Sequence, residues 1–337
     1  MEKTYSTFIL LFLLAGHAYG CQSGLNTAHS TQAVATIQEP ENDEGGGFIY
    51  LTRGRGDASP LQLVDTAQNE TISIHLPQSQ SSGTSLSPPG DKIAYYFDGY
   101  LYIYRVSNRE TIKVAPERFG SFHTDHLAWI NDNTQIVTDC SPLDNYPISE
   151  VCVFDIASGE VNLLTDLREF TTTFLSGVEV GSWSEQTNRL AFNLLIAPET
   201  SGHAQRLIFV IDLTTQEIRL LFDERTQAVY TPRGAPQISK DGTKILFAAK
   251  IKNQKSDILL LDIQTGRISQ ITHSNYMQNT RSPIWLDDNT FIAKQTTTER
   301  DGYSTSTSHP IFSLSGEILD TLELDEDYLL LSIFAVE

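Results

Sequence analysis

Apolar and polar positions recur along this chain in a fixed order. In five segments an apolar residue is followed seven positions later by Ile or Leu, across a short polar turn. The five pairs are Leu86/Ile93, Trp129/Ile136, Trp183/Leu190, Ile238/Ile245 and Trp285/Ile292. The first members of successive pairs lie 43, 54, 55 and 47 residues apart. Since strand-like segments follow each pair, the pattern predicts repeated four-stranded units of the kind that form β-propeller blades.

A second recurring segment sets the number of units. It consists of the end of an apolar strand, a turn built around Asp, Ser, Thr or Gly, and the start of another strand. Clear copies lie at Asp155–Val161, Asp212–Ile218 and Asp262–Ile268, and looser ones at Leu314–Ile318, Arg105–Ile112 and Asp65–Ile72. Six copies predict an all-β protein, a six-bladed β-propeller of four-stranded antiparallel blades.

Two stretches resemble a known family. Ile238–Phe247 (ISKDGTKILF), followed by Asp257–Asp262 (DILLLD), and Leu86–Tyr95 (LSPPGDKIAY) are similar to the WD40-like repeat of TolB-type propellers. The resemblance covers about residues 47 to 337 and implies the propeller fold, but little about activity, because the repeat occurs in unrelated proteins. TolB carries a further α/β domain before its propeller, for which this chain has no room. The resemblance therefore implies no Tol–Pal role.

The two ends of the propeller region complement each other. The first unit contains Phe48–Thr52, Leu61–Asp65 and Thr71–Leu76 but no clear inner strand. Tyr328–Ala335 is a spare apolar strand at the other end of the chain. We expect it to fill that inner position and close the ring, which leaves no open sheet edge between first and last blades. An additional outer strand is the alternative.

The N-terminal residues have the pattern of an export signal. Lys3 precedes an apolar run from Phe8 to Ala15, which is too short to span a bilayer. Ala18-Tyr19-Gly20-Cys21 resembles a bacterial lipobox, although Tyr19 departs from the usual pattern. We predict a signal peptide at 1–20, a lipidated Cys21 with a flexible linker over 21–46, and the propeller over 47–337. Plain secretion or a retained anchor is the alternative.

The two remaining cysteines form an even pair. Cys140 ends one predicted strand and Cys152 lies in the next. In an oxidising compartment they are expected to form a disulfide, whereas two buried free thiols are the alternative.

Charge narrows the set of partners. The chain carries a formal net charge of −19. This opposes nucleic-acid binding and gives no general attraction to an anionic bilayer, so any membrane contact is expected through the lipid anchor alone. We expect a monomer with an envelope protein, a peptide or a glycan as its partner.

The antiparallel order of a blade places its connections on two faces. Turns after the first and third strands share one face, and loops after the second strand share the other with the blade-to-blade connections. The second set is longer, and we call this side the long-loop face. Recognition usually lies on long loops, so the candidate ligand-binding residues are taken from there: His123, Asp125, His126, Glu179, Arg233, Arg281, Tyr230 and Tyr276.

Each candidate has a simpler interpretation. His123, Asp125 and His126 have metal-ligand chemistry, but three residues of one loop are too few to predict a metal. Arg233 and Arg281 precede neighbouring inner strands and could recognise a carboxylate or phosphate, or form salt bridges to loop acids. Five lysines of the fifth unit straddle both faces and favour a solvated surface: Lys240, Lys244, Lys250, Lys252 and Lys255.

The sequence contains no catalytic or cofactor-binding motif such as Gly-x-Ser-x-Gly, His-Glu-x-x-His or a phosphate loop. We therefore predict an extracytoplasmic, lipid-anchored binding or scaffolding propeller of the bacterial cell envelope, with no cofactor. The alternative is a metal- or carboxylate-dependent polysaccharide lyase or hydrolase at the mouth of the central channel. That enzyme would need His or carboxylate groups converging with Arg.

Overall fold

The computed structural model describes residues 47–54, 60–76, 82–114, 127–140, 150–165, 167, 170, 175–196, 204–227, 229–251, 255–298, 305–324 and 328–336. These residues form six four-stranded antiparallel sheets arranged as the blades of a propeller. The predicted fold is confirmed. Among the described residues there is no helix whose length and hydropathy would let it cross a bilayer.

Each blade runs from an inner strand, next to the propeller axis, to an outer one. In that order the strands are, for blade 1, β24 (Tyr328–Val336), β1 (Gly47–Gly54), β2 (Leu61–Asp65) and β3 (Glu70–Ile74); for blade 2, β4 (Ser82–Leu86), β5 (Lys92–Phe97), β6 (Tyr100–Arg105) and β7 (Glu110–Lys113); for blade 3, β8 (Ala128–Ile130), β9 (Gln135–Cys140), β10 (Glu150–Asp155) and β11 (Val161–Leu163); for blade 4, β12 (Leu175–Ser184), β13 (Arg189–Ile196), β14 (Gln205–Asp212) and β15 (Ile218–Asp223); for blade 5, β16 (Tyr230–Ile238), β17 (Lys244–Ile251), β18 (Ser256–Asp262) and β19 (Ile268–Gln270); and for blade 6, β20 (Gln278–Trp285), β21 (Thr290–Thr298), β22 (Thr305–Ser313) and β23 (Ile318–Leu322).

The C-terminal strand closes the ring as predicted. β24 pairs antiparallel with β1, from Gly47 opposite Val336 to Gly54 opposite Tyr328, with a bulge between Leu51 and Thr52. Blade 1 is thus assembled from both ends of the described propeller. The pairing supplies the inner strand that the N-terminal strands of blade 1 lack.

The core lies between the blades, where the second and third strands of each sheet are the most buried. The pattern of β13 is typical, because Leu190 to Leu194 are fully buried. Phe192 stacks on Phe209 of the next strand with ring centroids 5.3 Å apart. Phe291 and Phe312 stack in the same way, also at 5.3 Å, in blade 6. Stacked aromatic pairs therefore join the second and third strands within blades 4 and 6.

Side chains of the inner strands join one blade to the next. The Ser182 hydroxyl of β12 accepts a hydrogen bond from the Ile238 N–H of β16 at 2.7 Å. The indole N–H of Trp285 donates to the Gln237 carbonyl at 2.8 Å, and that of Trp129 donates to the Ser85 carbonyl at 3.3 Å. Two of the three tryptophans that begin a repeated pair thus connect neighbouring blades. Trp183 instead bonds within its own blade, to Asn188 at 3.0 Å.

A disulfide joins Cys140 to Cys152, with Cα atoms 5.9 Å apart. The two cysteines do not face one another directly, because Cys140 lies opposite Glu150 and Cys152 opposite Thr138. They are diagonal neighbours on one face of the sheet. The bridge ties the end of β9 to the start of β10, across a loop of the long-loop face.

Candidate functional site

Three of the eight candidate ligand-binding residues and the predicted lipidation site lie outside the part of the chain that the structure describes. His123, Asp125 and His126 lie outside the described residues, as does Cys21. Within the described part of the chain, no group of three or more His, Cys, Asp or Glu side chains is arranged to hold a metal ion. The remaining candidates therefore define the site geometry.

Tyr230, Arg233 and Arg281 lie in inner strands and not in the connections before them. Tyr230 begins β16, and Arg233 is its fourth residue. Arg281 is the fourth residue of β20 in the next blade. Both strands start at the long-loop face, so the two arginines lie at equivalent depths in adjacent blades. Tyr276 lies in the connection that leads to β20.

A β-bulge follows each arginine. The register of β16 against β17 shifts between Arg233 and Gln237, and that of β20 against β21 shifts between Arg281 and Ile284. The residue directly after each arginine has a positive φ, 71° at Gly234 and 51° at Ser282. Bulges change the direction of side chains and are enriched at functional sites. Arg233 is half-buried and Arg281 exposed, and neither forms a salt bridge within the described residues.

Glu179 is held in a nearly buried ion pair. Its carboxylate lies 3.2 Å from a guanidinium nitrogen of Arg206, and the two side chains are 17% and 14% exposed. The amide of Asn193, which is fully buried, also donates to this carboxylate at 3.2 Å. Charged groups that are paired and desolvated like this serve structure more readily than acid–base chemistry.

Asn193 links this ion pair to the bulge beside Arg233. Its amide donates to the Gly234 carbonyl at 2.7 Å, from blade 4 to blade 5. The main chain directly after Arg233 is therefore fixed by a buried side chain of the preceding blade. Asn193 thus connects the Glu179 carboxylate to the main chain beside Arg233.

A second buried network fixes the segment beside Arg281. Thr280 is fully buried, and its hydroxyl lies 2.9 Å from that of Ser274. The Ser274 N–H donates to the Asp257 carboxylate at 2.7 Å, and the Thr272 hydroxyl donates to the same oxygen at 3.0 Å. These hydrogen bonds fix the connection between blades 5 and 6 next to Arg281.

Two lysines lie on the same side of blade 5. Lys250, near the end of β17, is opposite Thr231, and Lys255 directly precedes β18. The Ser256 N–H donates to the Asn279 side chain of β20 at 3.0 Å. This contact brings the segment of Lys255 next to the inner strand that carries Arg281. Lys252 lies outside the described residues; of the other four lysines of this blade, these two belong to the long-loop face and Lys240 and Lys244 to the opposite one.

Apolar side chains accompany these cations. Tyr276 is 83% exposed, and Val229, in the connection before β16, is 43% exposed. The other large apolar residues that are strongly exposed in the described chain belong to outer strands: Ile72, Leu163, Leu220, Ile318 and Leu319. Tyr276 and Val229 thus mark the connections that enter blades 5 and 6.

The opposite face has the features of structural turns. The backbone N–H groups three residues on, at Ser158, Thr215 and Thr265, lower the pKa values of Asp155, Asp212 and Asp262. These aspartates therefore cap their own turns. Elsewhere, burial and then the charge of Lys294 lower the pKa of His309 to about 4. This His is neutral at pH 7 and lies in the body of blade 6.

The sequence did not single out Arg206 or Asn193, and it grouped Lys250 and Lys255 with three other lysines as a solvated surface. Asn193 lies one strand outward from Glu179 and Arg206 lies two strands outward, so only the three-dimensional register brings them together. Lys250 and Lys255 flank a loop after a second strand. The assignment of such loops to one face could have separated them from Lys240 and Lys244.

No protein-family model matches the sequence, and no curated protein matches it. Solved structures do match the fold. TolB from Acinetobacter baumannii has a TM-score of 0.60 at 16% identity, over 87% of this chain and 67% of that one. A putative TolB from Agrobacterium tumefaciens has a TM-score of 0.57 at 12% identity, over 87% of this chain and 99% of that one.

A third match is to a structure from a study of two prolyl endopeptidases. It has a TM-score of 0.54 at 12% identity, over 88% of this chain but only 46% of that one. This chain therefore spans about half of that protein. At these identities the likeness concerns the fold alone, because one propeller fold serves proteins with different functions. The predicted resemblance is confirmed at that level: the described chain has the six-bladed propeller fold of TolB.

Proposed function

We propose that this protein is an extracytoplasmic binding or scaffolding module that recognises a protein partner through the long-loop face of blades 5 and 6. The observation that supports it is the joint presence there of a highly exposed Tyr276, an exposed Val229, and Arg233 and Arg281. Tyr and Arg are the residue types that contribute most to binding at protein interfaces. Buried hydrogen bonds on both sides hold this surface in one conformation, which lowers the entropic cost of binding.

The enzymatic alternative receives less support. It needs an acid or base that converges with an arginine, and the candidate acid in the described part of the chain is Glu179. Arg206 and Asn193 already occupy that carboxylate. The proposal therefore includes no chemical step.

Photo-crosslinking in the native cell tests the binding face. A photoreactive phenylalanine analogue at Tyr276 should give a discrete, light-dependent protein adduct. The same analogue at Leu319 serves as the control, since that side chain is 52% exposed but lies on the outer strand of blade 6. No adduct at position 276, or the same adducts at both positions, would rule out this face.

We further propose that residues 1–20 are removed, that Cys21 is lipidated, and that 21–46 tether the propeller to the membrane. The short apolar run before a lipobox-like Cys21 supports export and anchoring. The Cys140–Cys152 disulfide fits an oxidising compartment outside the cytoplasm.

Metabolic labelling with a clickable fatty acid tests the anchor. The full-length wild type should carry the label and sediment with membranes. The Cys21→Ser variant should lose the label and move to the soluble fraction. A wild-type protein without label would refute lipidation, but it would not contradict the proposed binding face.

A further inference from the structure

We propose that the partner segment bound at blades 5 and 6 is an acidic stretch of polypeptide. This inference rests on the proposed function and specifies the chemistry that the face selects. The surface in question, here called the cationic rim, consists of Arg233, Lys250, Lys255 and Arg281. All four are half-buried or exposed and lie at the long-loop end of two adjacent blades.

The rim stands out against the charge of the whole chain. The protein has a formal net charge of −19, from 42 acidic and 23 basic residues. Between Tyr230 and Thr298, however, Asp257 is the one described carboxylate at the long-loop end of the strands. It is 2% exposed and accepts hydrogen bonds from Gln270, Thr272 and Ser274. It is therefore engaged within the blade.

The rim cations have no salt-bridge partner in the described chain. The described ion pairs involve other basic residues, such as Arg206, Arg225 and Lys244. Four positive charges at one end of two adjacent blades, with no acidic partner among the described residues, repel one another, at a cost that a polyanionic ligand would relieve. Charge complementarity thus favours a ligand with several carboxylates, two of which can each accept two hydrogen bonds from one arginine.

The geometry also fits an extended ligand. Arg233 and Arg281 occupy the same position in neighbouring inner strands, each directly before a positive-φ bulge residue. The Asn193 bond to Gly234 and the Thr280 bond to Ser274 hold the adjoining main chain on either side. The chain beside each arginine is thus held at a separate point, which suits carboxylates spaced along one ligand chain.

The apolar neighbours favour polypeptide over acidic saccharide. Tyr276 could stack on either kind of ligand. Val229 is aliphatic and 43% exposed, which suits contact with an apolar side chain better than with a sugar ring. An acidic segment that also carries an apolar residue would use both features of the rim.

Fluorescence anisotropy tests this chemistry directly. The probes are a labelled peptide in which Glu alternates with Leu, the matched Gln peptide, and labelled oligogalacturonate. Wild type should bind the Glu peptide about tenfold more tightly than the Gln peptide, and R233A/R281A should remove about tenfold in affinity. The control R219A/R267A removes the same charge from exposed arginines on an outer strand and on the opposite face, and should bind like wild type.

Equal affinity for the two peptides, or equal losses in both double variants, would overturn the inference. Preferential binding of oligogalacturonate would also overturn it, in favour of a saccharide. Equal melting temperatures of both variants and wild type verify that the fold is intact.

The crosslinking experiment separates this inference from the proposed function. Charge reversal by R233E/R281E should abolish the adduct at position 276. If wild type forms the adduct and the reversed variant forms it equally well, the face binds a partner but not through acidic groups. If wild type forms no adduct, the proposed function itself is wrong.

Discussion

At the scale of single residues, the fold depends on close approaches that hydrophobic patterning does not reveal. Gly181 in β12 illustrates this. A Cβ at this position would overlap the Pro236 carbonyl oxygen of the neighbouring inner strand and lie 2.8 Å from the Ala191 carbonyl oxygen. The inner strands of blades 4 and 5 can therefore meet because position 181 lacks a side chain.

Gly181→Ala should destabilise the protein by about 3 kcal/mol or more, because the main chain of β12 or β16 must move. Gly266→Ala is the matched comparison. Position 266 has a φ of +69° but open space around its Cβ, so the cost there is conformational, about 1 kcal/mol. Urea unfolding of both variants measures the difference. A Gly181→Ala cost equal to or below that of Gly266→Ala would contradict the proposed approach of the two strands.

At the scale of elements, the sequence predicted the number of strands well and the limits of the inner strands poorly. β16 contains Pro232, Gly234 and Pro236, residues that are unfavourable in a strand, and its first half was predicted to precede the inner strand. An inner strand is a sheet edge, however, and proline is tolerated there because one N–H is not needed for pairing. The bulge also interrupts the two-residue alternation on which strand prediction depends.

The candidate site could be predicted from the sequence only in part, because local patterns do not show contacts between distant residues. The long-loop face follows from chain direction alone, and Arg233 and Arg281 became candidates because each precedes a recognisable repeated pair. The occupation of Glu179 could not be predicted, since Arg206 is 27 residues away and reaches it only through the pairing of three strands. The local pattern of apolar and polar residues predicts strands and the face on which each loop lies. Side-chain partners depend on the register between strands, which that pattern does not determine.

At the scale of the whole molecule, β24 joins the ring on both sides. The Ser332 hydroxyl accepts a hydrogen bond from the Leu86 N–H of blade 2 at 3.3 Å. Ile333 is 1% exposed and belongs to a buried cluster with Tyr50 of blade 1 and Ile292, Ile311 and Leu322 of blade 6. One strand therefore contacts blade 2 by a hydrogen bond and blade 6 by apolar packing. The stability of the closed ring should depend on it more than on any outer strand.

Ile333→Ala tests this dependence, because it removes buried methyl groups from the contact between blades 6 and 1. We expect a loss of about 2–4 kcal/mol in the free energy of unfolding. Ile318→Ala makes the same change in the outer strand β23, where the side chain is 53% exposed, and should cost less than about 1 kcal/mol. Guanidinium unfolding followed by tryptophan fluorescence measures both. A lower unfolding midpoint for Ile333→Ala alone would show that the ring depends on β24, the inner strand of blade 1. Equal midpoints for the two variants would show that it does not.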